Sequence, residues 1–148
     1  MTVAELLARH HRIALDANAF IYLFESAGTL AMATGAILDA AELGRITVVV
    51  STMALAEIAV GPVATGDETL VERYADAVRG ARGVQIVPLT ADIAIDVGII
   101  RGRHKVQIPD AVHLATARQA GATAIVTNDA RMPALPHLEV VRLADLAV

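Results

Sequence analysis

The chain predicts a three-layer α/β/α sandwich built on a mainly parallel sheet of four or five strands. Three observations carry that expectation. Short β-branched runs such as Ile46 to Val50 alternate with stretches of helical period, the pattern of strands buried on both faces and joined by crossover helices. Gly and Pro punctuate the chain where one type of element gives way to the next. The composition is 55% hydrophobic but only 3% aromatic, with no Trp, which suits a core of Val, Ile, Leu and Ala between helices and sheet.

The elements follow in order. Thr2 to Arg9 places Val3, Leu6 and Leu7 on one helical face and predicts a short amphipathic leader, residues 1–12. Ile13 to Asp16 reads as the first strand, and Asn18 to Ser26 as a helix with Phe20, Ile21 and Phe24 on its apolar face. Gly28 breaks that helix, and Thr29 offers a cap for another running to about Leu43, closed by Gly44. Ile46 to Val50 is the second strand. Ser51 and Thr52 offer an N-cap for a helix that carries Glu57 and that Gly61-Pro62 is expected to stop.

Asp67 to Gly80 is the most solvent-facing helix, with Leu70, Val71, Tyr74 and Val78 among charged residues. Val84 to Val87 forms a third strand, and Thr90 caps a helix through roughly Arg101. Asp110 to Ala120 is an Ala-rich helix ended by Gly121, followed by a strand from Thr123 to Thr127. Leu138 to Arg142 is a last extended piece and a candidate fifth strand. No repeat, linker or low-complexity tract divides the 148 residues, so one domain over 1–148 is expected.

Composition narrows the function. There is no Cys, which excludes disulfides, thiolate metal sites and cysteine nucleophiles. No signal core precedes the first strand and no apolar run approaches transmembrane length, so a cytoplasmic protein without a membrane partner is expected. The net charge is −4 and Lys105 is the only lysine, so any polyanion needs a local basic patch. Arg101, Arg103, His104 and Lys105, just upstream of Asp110, are the one candidate patch for such a polyanion; they also read as cations suited to a helix C-terminus.

Four acids stand where a parallel sheet brings strand ends and helix starts onto one rim: Asp16, Glu57, Asp110 and Asp129. Each has an ordinary alternative. Asp16 suits a helix N-cap, Asp110 follows Pro109 at a natural helix start, and Asp129 after Asn128 suits a turn. Glu57 is harder to explain away, because Met53 to Val60 contains no other charge and an unpaired buried carboxylate is costly. Together, four carboxylates on one rim repel one another unless they bind cations or take up protons, and oxygen ligands favour a hard divalent metal.

Asp92 begins a helix on the same rim and is explained by the helix dipole; the remaining acids within helices, Asp96 among them, read as solvated faces. His113 lies one turn after Asp110 and could face the same rim, although a His in such a place is more often a packed or surface residue. No zinc-protease helix, nucleophile elbow or phosphate-cradling glycine loop is present.

Four segments in register carry a family resemblance: Leu15-Asp16-Ala17-Asn18; Ser51-Thr52 with Glu57-Ile58; Pro109-Asp110-Ala111-Val112-His113-Leu114-Ala115-Thr116-Ala117; and Val126-Thr127-Asn128-Asp129. Together they resemble the PIN-domain ribonucleases, in particular the VapC toxins of bacterial toxin–antitoxin pairs, from Ile13 to Arg142. The resemblance implies strand order 3-2-1-4-5 and a Mg²⁺- or Mn²⁺-dependent endoribonuclease. Asp16, Glu57, Asp110 and Asp129 would be the acidic set that binds metal, with Asn18, Thr52 and Asn128 as supporting hydrogen-bond groups. It further implies RNA as substrate, a cognate antitoxin and a homodimer. The dimer also accords with the apolar excess of Phe20, Ile21, Tyr22, Phe24, Ile37 and Leu38.

Two features depart from the pattern: the leader is longer than in these toxins, and the chain is lysine-poor. The competing expectation is a PIN-like binding or scaffold module without nuclease activity. A haloacid-dehalogenase phosphatase fits less well, since that chemistry wants a second Asp where Asn18 stands.

Overall fold

A computed structural model describes residues 1–25 and 28–148. Its described residues form a five-stranded, all-parallel sheet, β1 (Arg12–Leu15), β2 (Thr47–Ser51), β3 (Val84–Val87), β4 (Ala124–Thr127) and β5 (Glu139–Arg142), in the order β3-β2-β1-β4-β5. That is the expected fold class and strand order. Helices α1 (Val3–Arg9), α2 (Ala17–Phe24), α3 (Gly28–Glu42), α4 (Thr52–Ala64), α5 (Glu68–Gly80), α6 (Ala91–His104) and α7 (Ile108–Gln119) occupy the outer layers.

Period-two alternation in the central strands divides the core into two layers. Ile13 and Leu15 of β1, Val48 and Val50 of β2, and Ala124 and Val126 of β4 pack with Phe20, Ile37 and Ile58 of α2, α3 and α4. The intervening Ala14, Val49 and Ile125 face the opposite way and pack with Ile100 of α6 and Val112 and Leu114 of α7. Register aligns Leu15 with Val50 and with Val126, so β1, β2 and β4 end at one level. Gly83 fixes the entry to β3: its φ is +75°, and a Cβ there would lie 2.3 Å from the Ala41 carbonyl oxygen.

The leader has a definite place. Thr2 and Glu5 form a reciprocal cap on α1, with Thr2 N–H donating to Glu5 Oε2 at 2.7 Å and Glu5 N–H to Thr2 Oγ1 at 3.1 Å. Thr2 bridges Ala147, and Arg9 and His10 both reach Glu139 of β5, at 2.8 and 2.9 Å. The added segment therefore ties the two ends of the chain together.

Several boundaries differ from the sequence expectation. Gly61-Pro62 does not stop α4, which runs on to Ala64. Pro removes a single N–H bond and its φ is helical, so the last turn tolerates it. Gly28, with φ +56°, is the first residue of α3 rather than only a break before a Thr29 cap. Ser26, the expected last residue of the preceding helix, lies outside the described residues. Helix α6 runs to His104 and ends on Lys105 in the left-handed region, while α7 starts at Ile108 with Gln107 as N-cap.

The apolar excess of the first two helices is absorbed within the chain. Phe20 and Ile37 are buried, Ile21, Tyr22, Phe24 and Leu38 pack against the same core, and Phe24 stacks on Tyr74 with ring centroids 4.5 Å apart. Exposed apolar side chains remain at Met32 on α3, at Val60 and Val63 on α4, and at Ile95 and Ile99 on α6. Among the described residues no single helix is long and apolar enough to cross a membrane.

Candidate metal centre on the carboxyl rim of the sheet

The aligned ends of β1, β2 and β4 build the floor of this rim. Asp16 follows β1 and is the N-cap of α2, its Oδ1 accepting from Ala19 N–H at 3.3 Å. The ordinary reading of Asp16 as a cap is therefore correct, yet it covers only half the carboxylate. Its Oδ2 accepts from the Thr127 hydroxyl at the end of β4, and Thr127 Oγ1 in turn accepts from Asp129 N–H at 3.1 Å. This relay ties the first and last acids of the set across two adjacent strands. Burial raises the Asp16 pKa above the ordinary carboxylate value, and Glu57 adds to the rise; the bonds from Thr127 and Ala19 and the nearby His113 oppose it.

Ser51, the final residue of β2, caps α4 by accepting from Met53 N–H at 3.1 Å. Thr52 is then the first helical residue, partly buried, and Glu57 lies on the second turn. Glu57 has the partner its apolar surroundings call for: Oε1 lies 2.5 Å from Nε2 of His113. His113 is on α7, one turn beyond Asp110, and its side chain is only 3% exposed. A carboxylate only accepts, so Nε2 carries the proton. The other ring nitrogen, Nδ1, has no hydrogen-bond partner among the described residues.

Asp110 occupies the third position of α7, behind Pro109, so it strengthens the helix start without being its cap. Its pKa is raised by burial and by Asp129, with Glu57 adding, against smaller opposing effects of His113 and Arg131. Asp129 behaves oppositely. Arg131 grips it through Nε to Oδ1 at 3.1 Å and Nη2 to Oδ2 at 3.0 Å, and holds its pKa below the ordinary value.

Asp16 thus feels Glu57, and Asp110 feels both Glu57 and Asp129, so the four acids form a chain along one rim. As they stand, no three Asp, Glu or His side chains among the described residues converge on a single ion position. The reason is visible: Glu57 is turned to His113 and Asp129 to Arg131, so two of the four are held by protein cations or donors.

The supporting groups divide. Asn18 is exposed in the first turn of α2. The Asn128 amide is committed away from the acids: Nδ2 donates to the Tyr22 hydroxyl at 3.5 Å and Oδ1 accepts from Ala144 N–H at 3.2 Å. Arg101 is likewise occupied, donating to the Val106 carbonyl at 2.9 Å, whereas Arg103 and Lys105 are exposed. Lys105 lines a cleft of ≈ 310 Å³ with His104, Val106, Gln107, Asp110 and Arg131. Asp92 is exposed on α6, beyond the β3 edge. Asp96 is not a solvated acid: it is buried and accepts a forked bond from Arg118 of α7, with Nε at 3.1 Å from Oδ2.

Two residues at the centre of this geometry escape sequence reasoning. Thr127 looks like the last residue of a strand, and His113 like a packed aromatic on an Ala-rich helix. Only the one-turn spacing of His113 from Asp110 hinted at a shared rim.

With the geometry described, comparison adds the family. The model of the PIN domain family matches residues 13–138. A search of curated proteins finds no match. Among solved structures, VapBC2 from Rickettsia felis bound to a DNA fragment from its promoter superposes with a TM-score of 0.71 at 17% identity, covering 88% of this chain and 98% of that one. FitAcB from Neisseria gonorrhoeae gives 0.69 at 20%, covering 90% and 99%. VapC20 of Mycobacterium tuberculosis, a toxin that cleaves the sarcin–ricin loop, gives 0.60 at 17%, covering 76% and 86%. At these identities the likeness is one of fold.

Proposed function

The chain belongs to the PIN domain family, and from that premise we propose that it is a metal-dependent endoribonuclease, the toxin of a toxin–antitoxin pair. One observation carries the reading. Four carboxylates from four separate segments share the rim where β1, β2 and β4 end, and burial with mutual repulsion raises the pKa of two of them, Asp16 and Asp110. Such a site is short of positive charge.

The donor set fits Mg²⁺ or Mn²⁺, since Asp16, Glu57, Asp110 and Asp129 offer carboxylate oxygens and no sulfur. A bound divalent ion would polarise a phosphoryl oxygen and lower the pKa of a water molecule toward neutrality. The chain's own residues do the remaining work. Thr127 and Ala19 hold both oxygens of Asp16, so its direction is set before substrate arrives. His113 fixes Glu57 against α7. Lys105 and Arg131 line the cleft beside Asp110 and supply cations for a backbone phosphate. Water attack at phosphorus leaves a 5′-phosphate and a 3′-hydroxyl, and no side-chain nucleophile is required.

The partners follow from the same reading. Structures of this fold include a complex described as a toxin with its antitoxin, and an antitoxin Arg or Lys among the four acids would supply the missing charge. A second copy of the chain is the partner we assign to the exposed apolar side chains Val60 and Val63 of α4, which sedimentation at micromolar concentration would test. A cytoplasmic location accords with an RNA substrate.

A binding module without nuclease activity is the second reading, favoured by the engagement of Glu57 and Asp129 with His113 and Arg131. The deciding experiment is cleavage of single-stranded or loop RNA by the pure protein with Mg²⁺ or Mn²⁺. Cleavage that stops with EDTA and leaves 5′-phosphate ends supports the nuclease. Metal-independent cleavage with 2′,3′-cyclic ends overturns the mechanism, and absence of both cleavage and Mn²⁺ binding favours the module.

A further inference from the structure

Asp129 is held by a side chain of its own loop. Arg131 closes on it with a fork from Nε and Nη2, and the Arg131 backbone N–H adds a third bond to Oδ1 at 2.9 Å. The pair is asymmetric in burial. The Asp129 side chain is 18% exposed and that of Arg131 is 74% exposed, so packing does not lock the guanidinium in place. Water and salt compete for the open guanidinium, which limits what the pair is worth even in forked geometry.

Arg131 also borders a second environment. It lines the ≈ 310 Å³ cleft whose other walls are His104, Lys105, Val106, Gln107 and Asp110. Lys105, the only lysine in the chain, is held there in a left-handed conformation (φ 55°) that a non-glycine residue adopts at some cost. The cleft therefore joins two exposed cations to the carboxylate of Asp110. The guanidinium fork matches a phosphate as well as it matches a carboxylate.

We propose that Arg131 is a resident cation that exchanges Asp129 for a phosphate of the bound RNA. While no divalent ion is bound, Arg131 neutralises Asp129. When Asp129 turns to a metal, Arg131 is released into the cleft and holds substrate beside Lys105. This assignment rests on the nuclease reading and deepens it: the lysine-poor chain draws one of its RNA-binding charges from the metal site itself.

The test uses the full chain stripped of metal with EDTA and dialysed, and compares wild type with Arg131→Ala, Asp129→Asn and the double variant. Calorimetric titration with Mn²⁺ should show Arg131→Ala binding roughly 1.4- to fivefold tighter, the range expected when an exposed competing ion pair is removed. That gain should vanish in the Asp129→Asn background, the signature of a shared partner. Anisotropy with a short labelled single-stranded RNA in Ca²⁺, verified intact on a gel, should show weaker binding by Arg131→Ala. Its salt dependence should flatten by roughly 0.7 in log–log slope, because one fewer cation neutralises a phosphate.

Unchanged Mn²⁺ affinity in Arg131→Ala, or unchanged RNA affinity and slope, overturns the exchange while normal Mn²⁺ binding by wild type leaves the nuclease reading standing. Equal weakening of both ligands would mark collapse of the loop and also overturns it. No Mn²⁺ binding by wild type overturns the exchange and the nuclease reading together.

Discussion

Nε2 of His113 lies 2.5 Å from Oε1 of Glu57, joining α7 to α4 across 56 residues of sequence. The imidazole is buried and the carboxylate is partly open, so the histidine orients the acid without replacing its access to the rim. His113→Ala is therefore expected to lower metal-dependent cleavage by releasing Glu57, and to destabilise the fold by about 1–3 kcal/mol through the lost buried bond. His113→Gln, which keeps a donor, should recover part of both. Chemical denaturation alongside cleavage kinetics checks it, and an unchanged rate in a folded His113→Ala protein would count against the role.

Asp16→Asn separates stability from activity. A raised native pKa means that the folded chain binds a proton more readily than the unfolded one. Folding stability then falls as pH rises from the ordinary carboxylate value through the native one, and the penalty persists above it. Asn carries no charge, so in EDTA at neutral pH the variant should melt higher, by about 2–4 °C per kcal/mol recovered in a chain of this size. The gain should shrink as the pH is lowered into the acid range, and cleavage should be lost. A lower melting temperature at neutral pH, with no trend toward acid, would contradict the assignment.

Asp110 titrates in the same direction, and two carboxylates that hold protons more tightly than usual predict a proton-linked metal affinity. Metal requires the ionised form. Mn²⁺ affinity should therefore climb with pH beyond the range in which an ordinary carboxylate is already ionised, and level off once both are charged. Titration calorimetry in two buffers of different ionisation enthalpy would register the released protons. Affinity that is flat with pH would show that neither acid is a ligand.

The fold was legible because its signals are local. Ile46 to Val50 carries the β-branched mark of a buried strand, and all of it but Ile46 lies in β2; the alternation of Ile13, Ala14 and Leu15 across two faces follows from strand geometry. The strand order was not legible in the residues themselves; it came only as what the family resemblance implies. Bonds between distant segments were not legible. No rule of spacing pairs Thr127 with Asp16, or Arg118 with Asp96, because those bonds depend on how α6, α7 and the strand ends are juxtaposed. Pro62 misled for a related reason: a breaker near a helix end removes only one bond, and the neighbouring α5 and the following turn sustain the last residues. The placing of four acids on one rim, two after strands and two on the helices that follow, was legible, but not the groups that hold Glu57 and Asp129.

Asp96 and Arg118 give a control outside the site. The pair links α6 to the last turn of α7, at the opposite end of that helix from Asp110, with Asp96 buried. Arg118→Ala strands that carboxylate and should cost about 1.5–3 kcal/mol, the range for hydrogen bonds to charged groups. Replacing both partners with apolar residues of similar shape should recover much of the loss. Metal affinity at the rim should stay close to wild type, measured by the same calorimetry; a large drop would mean that the pair holds Asp110 in place.

Lys105 brings strain and substrate together at one residue. It ends α6 with φ 55° and ψ 30°, a conformation that glycine adopts freely and lysine does not. Nonetheless its side chain lines the cleft beside Asp110, whereas Arg101, four residues earlier, is spent on the Val106 carbonyl. Strain retained at such a position points to a use for the side chain. Lys105→Gly should therefore raise stability, by up to about 1 kcal/mol, while weakening RNA binding and flattening its salt dependence by roughly 0.7 in log–log slope. Arg101→Ala should do the reverse, loosening the turn into α7 with little change in that slope. Equal RNA affinities for Lys105→Gly and wild type would return the basic cluster to the role of a helix-end decoration.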